Sequence, residues 1–146
     1  MYGTVTDANS YFVTKSFDDG GAWANEPPDR KLVALNRAAI LINRLAFEGD
    51  KTDPDQENEF PRDDEDMPLE IEYAAYEIAR ELLRGRDPEQ EYQLQGASRL
   101  GFNRVTTEKK PDFISEAKLH GIPSIIAWDL IKPFLTEGDT FTIERI

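Results

Sequence analysis

The sequence predicts a mainly α-helical protein: a small helical bundle with a long acidic loop, an extended β-like arm and a short C-terminal strand-like tail. Two observations lead to this fold class. Apolar residues recur at three- and four-residue steps in several stretches, which is the spacing of one helix face. Glycines, prolines and a run of acidic residues separate these stretches, and one later region loses the helical period.

Length and charge limit the classes of protein to consider. The 146 residues fit one domain over residues 1–146, and the net charge of −12 would repel nucleic-acid phosphates at long range. There is no cysteine, so the sequence offers no disulfide, no thiolate zinc site and no thiol nucleophile. The first residues lack a secretory pattern, and no apolar run reaches the roughly 20 residues that span a bilayer. We therefore expect a soluble protein with no membrane partner.

The first predicted helix covers residues 4–15. Thr6 is a candidate N-cap, and Asp7 favours the positive end of the helix dipole. Its apolar residues fall at helical spacing: Val5, Ala8, Tyr11 and Phe12. Glycine and proline pairs then break regular structure over residues 16–28, where Trp23 is expected to anchor the chain.

The second predicted helix covers residues 29–46, and Gly49 is its expected stop signal. One apolar stripe recurs at helical steps: Leu32, Leu35, Ala39, Ile42 and Ala46. Val33, Ile40 and Leu41 widen this stripe beyond one face. The pattern predicts a helix that packs on more than one side, either at the centre of the bundle or at a subunit interface.

The third predicted helix starts around Pro68 and runs to residue 84, with Gly85 as its C-cap. Its apolar face contains several alanines, which allow neighbouring helices to approach closely: Ile71, Ala74, Ala75, Ile78, Ala79 and Leu82. Tyr73, Tyr76 and Leu83 form a second stripe beside that face.

Residues 47–62, FEGDKTDPDQENEFPR, form an acidic loop between the second and third helices. Phe47, Phe60 and Pro61 are predicted to fix its base in the helical core and leave its middle free to project. Residues 48–66 contain ten acids and two bases, so most of the net charge lies here. Five acids form a candidate channel or interface surface: Asp50, Asp53, Asp55, Glu57 and Glu59.

The remaining sequence predicts an arm, two helices and a tail. The arm covers about residues 88–111, where apolar and polar residues roughly alternate. A short helix over residues 112–120 ends at Gly121, and a very apolar helix follows over residues 123–135. The helical core thus covers about residues 4–84 and 112–135. The tail, residues 136–146, alternates as a short β-capable segment.

Two features could carry chemistry, and neither is specific. His120 is the only histidine, and its position before a glycine is typical of a helix end. Asp53, Asp55 and Glu57 alternate like calcium ligands, but Asn58 stands where a calcium loop needs glycine. We predict a solvated acidic loop, no catalytic residues, no cofactor and no metal.

The arm contains the only locally basic region: Arg99, Arg104, Lys109 and Lys110. Together with Phe102, these cations could stack and neutralise single-stranded DNA. Alternatively, the arm contacts a neighbouring subunit, with its cations facing that subunit's acidic loop. We favour the second interpretation because charge complementarity explains both segments at once.

Four segments, in order along nearly the whole chain, resemble the head-tail connector (adaptor) proteins of tailed bacteriophages: MYGTVTDANSYF, LAFEGDKTDPDQENEFPR, MPLEIEYAAYEIARELL and IPSIIAWDLIKPFL. Members of this family are also described as DnaT-like single-strand DNA-binding proteins. The most specific residues are Phe47, Gly49, Lys51, Gln56 and the Phe60-Pro61-Arg62 sequence, followed by Pro68 at the start of a helix rich in alanine and tyrosine.

The resemblance implies a non-enzymatic virion protein that is assembled in the host cytoplasm. Its subunits would form a ring, typically twelvefold, beneath the portal, extending the channel for genome retention and ejection. Double-stranded DNA would pass without specific binding, and a downstream neck or tail protein would bind the ring. The tail is expected to dock the portal through Phe141, Ile143, Arg145 and Ile146. The alternative is a single-stranded DNA-binding replication protein.

Overall fold

Helices dominate the part of the chain that the computed structural model describes, which comprises residues 1–16, 21–89 and 115–136. Within these ranges the helices whose bounds are described are, in chain order, α1 (Val5–Thr14), α2 (Pro28–Asn43), α3 (Leu69–Leu83), α4 (Glu116–Leu119), α5 (Ile125–Ile131) and one 3₁₀ turn (Lys132–Phe134). The predicted mainly helical class is therefore confirmed.

Helix α1 starts earlier than its predicted cap. Thr4, not Thr6, is the N-cap: its backbone is extended, and its side-chain oxygen accepts a hydrogen bond of 3.0 Å from the backbone N–H of Asp7. Asp7 then lies in the first helical turn, where its charge meets the positive end of the dipole. The prediction placed the cap two residues too far along the chain.

Helix α2 ends at Asn43, three residues before the predicted end. The backbone N–H of Leu45 bonds to the carbonyl of Ile42 at 3.1 Å, which tightens the last turn and redirects the chain so that Phe47 becomes buried. Gly49 lies beyond this turn, so its expected role as the stop signal of α2 is wrong.

Helix α3 ends at Leu83 with Arg84 as its C-cap, one residue before the predicted end, and Gly85 follows the cap. This glycine has φ of 84° and its N–H bonds to the carbonyl of Leu82 at 3.0 Å. The N–H of Arg86 bonds to the carbonyl of Glu81 at 3.1 Å, completing a Schellman motif.

Pro88 and Glu89 are helical, which corrects the predicted start of the extended arm. The side chain of Asp87 accepts a hydrogen bond of 2.9 Å from the N–H of Glu89. Aspartate followed by proline is a helix-start signal that the alternation pattern obscured. The rest of the predicted arm, and all of the tail beyond Thr136, lie outside the described residues.

The core is centred on α3, which packs against α1, α2 and α5. The small side chains of Ala74, Ala75 and Ala79 are buried and let α2 and α5 approach. Trp23 is also buried, as predicted. Its indole N–H donates to Asn9 at 2.8 Å, which fastens the loop between α1 and α2 to α1.

The outer face of α2 is not covered by the described residues. Leu35, Ala39 and Ile42 are buried as predicted, whereas Leu32 belongs to the exposed side of the helix. Val33 and Ile40 are also exposed, whereas Leu41 is buried, so the described residues cover only part of the wider packing surface expected of α2.

The helix predicted over residues 123–135 is shorter and ends in the 3₁₀ turn. The side chain of Ser124 caps α5 by accepting from the N–H of Ala127 at 3.1 Å. His120 is the C-cap residue of α4, and its ring stacks on Trp128 at a centroid distance of 4.6 Å. The predicted helix-end position of His120 is confirmed. Over the described ranges, no helix is both long and apolar enough to cross a bilayer.

Candidate functional site

The base of the acidic loop is a cluster of aromatic rings around Phe60. Its ring lies 4.8 Å from that of Phe47, 5.6 Å from that of Phe134 and 6.4 Å from that of Tyr2. Phe47 and Phe60 are buried, as predicted. The structure adds two partners from distant parts of the chain, so the base joins the N-terminus, the loop and the segment after α5.

Two short antiparallel pairings shape the loop backbone. At the base, the N–H of Glu48 donates to the carbonyl of Phe134 at 3.0 Å. The N–H of Thr136 donates to the carbonyl of Ala46 at 3.2 Å. Higher up, residues 50–52 pair with residues 61–63 through bonds of 2.8 and 3.0 Å. The two sides of the loop therefore pair with each other as a short antiparallel ribbon.

The guanidinium of Arg62 holds the two sides of this ribbon together. It donates to the backbone carbonyls of Glu48 at 2.8 Å, Glu59 at 3.1 Å and Phe47 at 3.3 Å, and also to that of Gly49. The planar fork of arginine suits this task because it offers five N–H donors in fixed directions. Arg62 satisfies carbonyls that the irregular backbone would otherwise leave unpaired.

Gln56 holds the tip of the loop. Its side-chain amide donates to the carbonyls of Asn58 at 2.8 Å and Pro61 at 2.9 Å, and its carbonyl oxygen accepts from the N–H of Asp53 at 3.0 Å. Lys51 pairs with Glu59 at 3.3 Å across the ribbon. Most of the middle of the loop is exposed, as predicted, and the structure adds polar side chains that fix it from inside.

Asn43, the last residue of α2, connects the loop to the helices. The side-chain oxygen Oδ1 of Asn43 accepts hydrogen bonds from the hydroxyl of Tyr2 at 2.5 Å and from the backbone N–H of Glu59 at 3.1 Å. Its amide donates to the side chain of Asn58 at 2.9 Å. The same Tyr2 hydroxyl accepts from the N–H of Phe60 at 3.3 Å. These hydrogen bonds fix the position of the loop relative to the C-terminal end of α2.

Gly49 is required where the loop leaves its base. Its φ is 80°, and a Cβ at this position would lie 2.0 Å from a carboxylate oxygen of Asp63. That carboxylate accepts a hydrogen bond of 2.9 Å from the N–H of Asp50. Any larger residue would displace the contact that joins the two sides of the ribbon.

The structure brings together the five predicted acids, but they do not form one uniform surface. Asp50, Asp53, Asp55 and Glu57 are exposed. Glu59 is half-buried and pairs with Lys51 and, at 3.5 Å, with Arg62, so its predicted exposure is wrong. Over residues 1–16, 21–89 and 115–136, no group of three or more acidic or histidine side chains is arranged to hold a metal ion.

Buried tyrosines make the stability of the fold sensitive to alkaline pH. Burial raises the pKa of Tyr2 to about 12 and that of Tyr76 to about 12. The ordinary tyrosine pKa is about 10, so between these values the folded protein holds protons that the unfolded chain releases. The contribution of these tyrosines to the free energy of unfolding should therefore be fully present below pH of about 10 and be lost as the pH rises toward about 12.

Urea unfolding followed by circular dichroism at several alkaline pH values would measure this dependence. Replacing Tyr2 by phenylalanine should reduce the slope against pH, because one of the linked ionisations is removed. An unchanged slope in Y2F would show that Tyr2 does not contribute to it.

The other predicted site residues lie outside the described part of the chain: Arg99, Phe102, Arg104, Lys109 and Lys110 of the arm, and Phe141, Ile143, Arg145 and Ile146 of the tail. Sequence reasoning missed Tyr2, Asn43 and Phe134 at the loop base. The resemblance segments include Tyr2 and Phe134, which was an available signal for these two. No sequence signal indicated a role for Asn43, since a single asparagine at a helix end is common.

The fold and the site define a class of protein: a mainly helical domain with a preformed acidic loop fixed between α2 and α3. Comparison with known proteins adds no relative, because no family model, curated protein or solved structure matches the chain.

Proposed function

We propose that this chain is a structural virion protein that forms the adaptor ring between the portal and the tail or neck of a tailed bacteriophage. One observation carries the proposal. The residues most specific to the resemblance are those that build the loop: Phe47, Gly49, Lys51, Gln56, Phe60 and Arg62. Each has a defined contact within the loop or its base.

The exposed apolar side chains suit a subunit that is completed by its neighbours. Large aliphatic residues are more than half exposed on five separate helices: Val13, Val33, Leu69, Leu119, Ile125 and Ile126. Single exposed apolar residues are common, but such residues on several faces are what a ring subunit with two different interfaces requires.

The exposed carboxylates suit either a channel wall past which DNA slides or an interface between neighbouring subunits. Asp50, Asp53, Asp55 and Glu57 would repel backbone phosphates, and a duplex would not adhere to a wall of this charge. In this function the loop serves as a fixed element of the channel or of the platform for the next component.

Mass photometry of the full chain, with and without the portal protein of the same genome, tests the proposal. The expected result is a discrete ring bound to the portal. A matched variant that lacks residues 140–146 should keep its fold and lose the attachment. Only free monomer in the presence of portal would contradict the proposal.

An electrophoretic shift assay with single-stranded DNA tests the alternative function. The adaptor should show no affinity even at low salt. Binding that weakens steeply as salt increases would instead support a replication protein, because such dependence reports phosphate contacts by basic residues.

A further inference from the structure

The outward face of α2 carries a stripe of arginines that alternate with aliphatic residues. Five residues follow each other at alternating three- and four-residue steps: Arg30, Val33, Arg37, Ile40 and Arg44. This spacing places them on one face of the helix. At a rise of 1.5 Å per residue, the stripe is about 21 Å long.

The ends and the aliphatic part of this α2 stripe are open to contact. The side chain of Arg30 is 64% exposed and pairs with Glu26 at 3.4 Å, and Arg44 is also exposed. Val33 is 68% exposed and Ile40 is 48% exposed. Only the central arginine, Arg37, is firmly held.

Arg37 fixes one border of a groove beside the stripe. It pairs with Asp87 at 3.4 Å and with Glu89 at 2.6 Å, which ties the chain after α3 to α2. The groove lies between α2 and α3 and has a volume of about 280 Å³. Val33, Leu82 and Leu83 contribute to its apolar lining.

We propose that the α2 stripe binds the acidic loop of a second copy of this chain. The charges are complementary, since the stripe ends in exposed cations and the loop exposes Asp50, Asp53, Asp55 and Glu57. The loop is also fixed by Arg62 and Gln56, so little conformational entropy is lost when it binds. This inference rests on the proposed ring and names the surfaces that join its subunits.

The contact forms between subunits and not within one. In a single subunit the loop is held against Asn43, Tyr2 and Phe134, while four of its acids and both end arginines of the stripe, Arg30 and Arg44, are exposed. The two surfaces therefore do not neutralise each other in the same copy. A contact between two different surfaces repeats from subunit to subunit and closes into a ring when the rotation permits.

A protein partner fits this stripe better than DNA does. Val33 and Ile40 stand between the arginines and gain from being covered by protein, whereas phosphate contacts would leave them exposed. The predicted arm is a less suitable occupant, because Arg99, Arg104, Lys109 and Lys110 give it the same charge sign as the stripe.

Cysteine cross-linking tests the contact directly, because the natural chain contains no cysteine. Full-length V33C and D55C proteins are mixed at high concentration under mild oxidation. We expect a V33C–D55C heterodimer in several-fold excess over the product of V33C with E70C, a control with an exposed acid at the start of α3. Equal yields for the two mixtures would overturn the proposal.

Charge exchange supplies the second test. R30E/R44E and D53K/D55K should each weaken self-association roughly tenfold at low salt, and mixing the two variants should restore it. K15E/K118E makes the same charge change as R30E/R44E at exposed positions away from the stripe and should have little effect. No restoration in the mixture would overturn the proposal.

The α2 contact and the adaptor function can be tested separately. If rings form on the portal with R30E/R44E as with the natural chain, the α2 contact is wrong and the adaptor function stands. If the cross-link forms but the portal is never bound, the adaptor function is wrong. If R30E/R44E reduces binding to duplex DNA and leaves self-association unchanged, the stripe is a nucleic-acid surface and the proposal is overturned.

Discussion

Replacement of Glu77 by alanine is expected to lower the free energy of unfolding by about 3–5 kcal/mol, because it removes the carboxylate from a buried ion pair with Arg80. Glu77 is 2% exposed and Arg80 is 6% exposed, and their side chains meet at 2.5 Å. Removal of one member of such a pair costs more than the pair contributes, since the remaining ion cannot return to water.

The same carboxylate joins α1 to α3. The hydroxyl of Tyr11 donates to Glu77 at 2.7 Å, and Arg80 donates to Ser16 at 2.9 Å while its guanidinium lies 5.0 Å from the ring centre of Phe12. Loss of Glu77 therefore leaves the hydroxyl of Tyr11 without this acceptor as well. The contact between α1 and α3 should weaken along with the fold as a whole.

Urea unfolding followed by circular dichroism measures the loss. E70A is the matched control, because Glu70 lies in the first turn of the same helix and is exposed. E77Q keeps the shape and removes the charge, so it should fall between the natural chain and E77A. Equal midpoints for E70A and E77A would contradict the burial of this pair as the cause.

The buried pair shows what helical periodicity can and cannot predict. The apolar stripe of α3 correctly gave the face that meets α2, from Ile71 to Ala79. Glu77 lies on the side of α3 that meets α1, which the apolar stripe does not include. Its pairing with Arg80 three residues later was a readable signal, because a buried acid needs a cation within reach.

The acidic loop shows a second limit of structure prediction from sequence patterns. Phe47 and Phe60 flank a polar segment, and large aromatic side chains tend to be buried. Their positions therefore predicted that the base of the loop packs into the core. The inner hydrogen bonds of Arg62 and Gln56 were not predictable, since their acceptors are backbone carbonyls, and every residue supplies one. Sequence composition therefore indicated the charge of the loop and gave no indication of its rigidity.

The replacement of Arg62 by lysine is expected to lower the free energy of unfolding by about 2–4 kcal/mol, although the charge is kept. The ammonium group of lysine cannot reproduce the fork that meets the carbonyls of Phe47, Glu48 and Glu59. The side chain of Arg62 is only 10% exposed, and its bonds to the carbonyls of Phe47 and Glu59 are partly buried, so these two carbonyls are poorly placed to gain water in exchange.

Thermal and urea unfolding of R62K, with R30K as the control, measures this effect. The side chain of Arg30 is mostly exposed, and R30K should change stability by less than about 0.5 kcal/mol. Amide hydrogen exchange over residues 47–62 locates the loss, which should be greatest in the loop because the aromatic base is unchanged. If these amides exchange as slowly in R62K as in the natural chain, the aromatic base and Gln56 are sufficient to fix the loop. The role assigned to the guanidinium is then wrong.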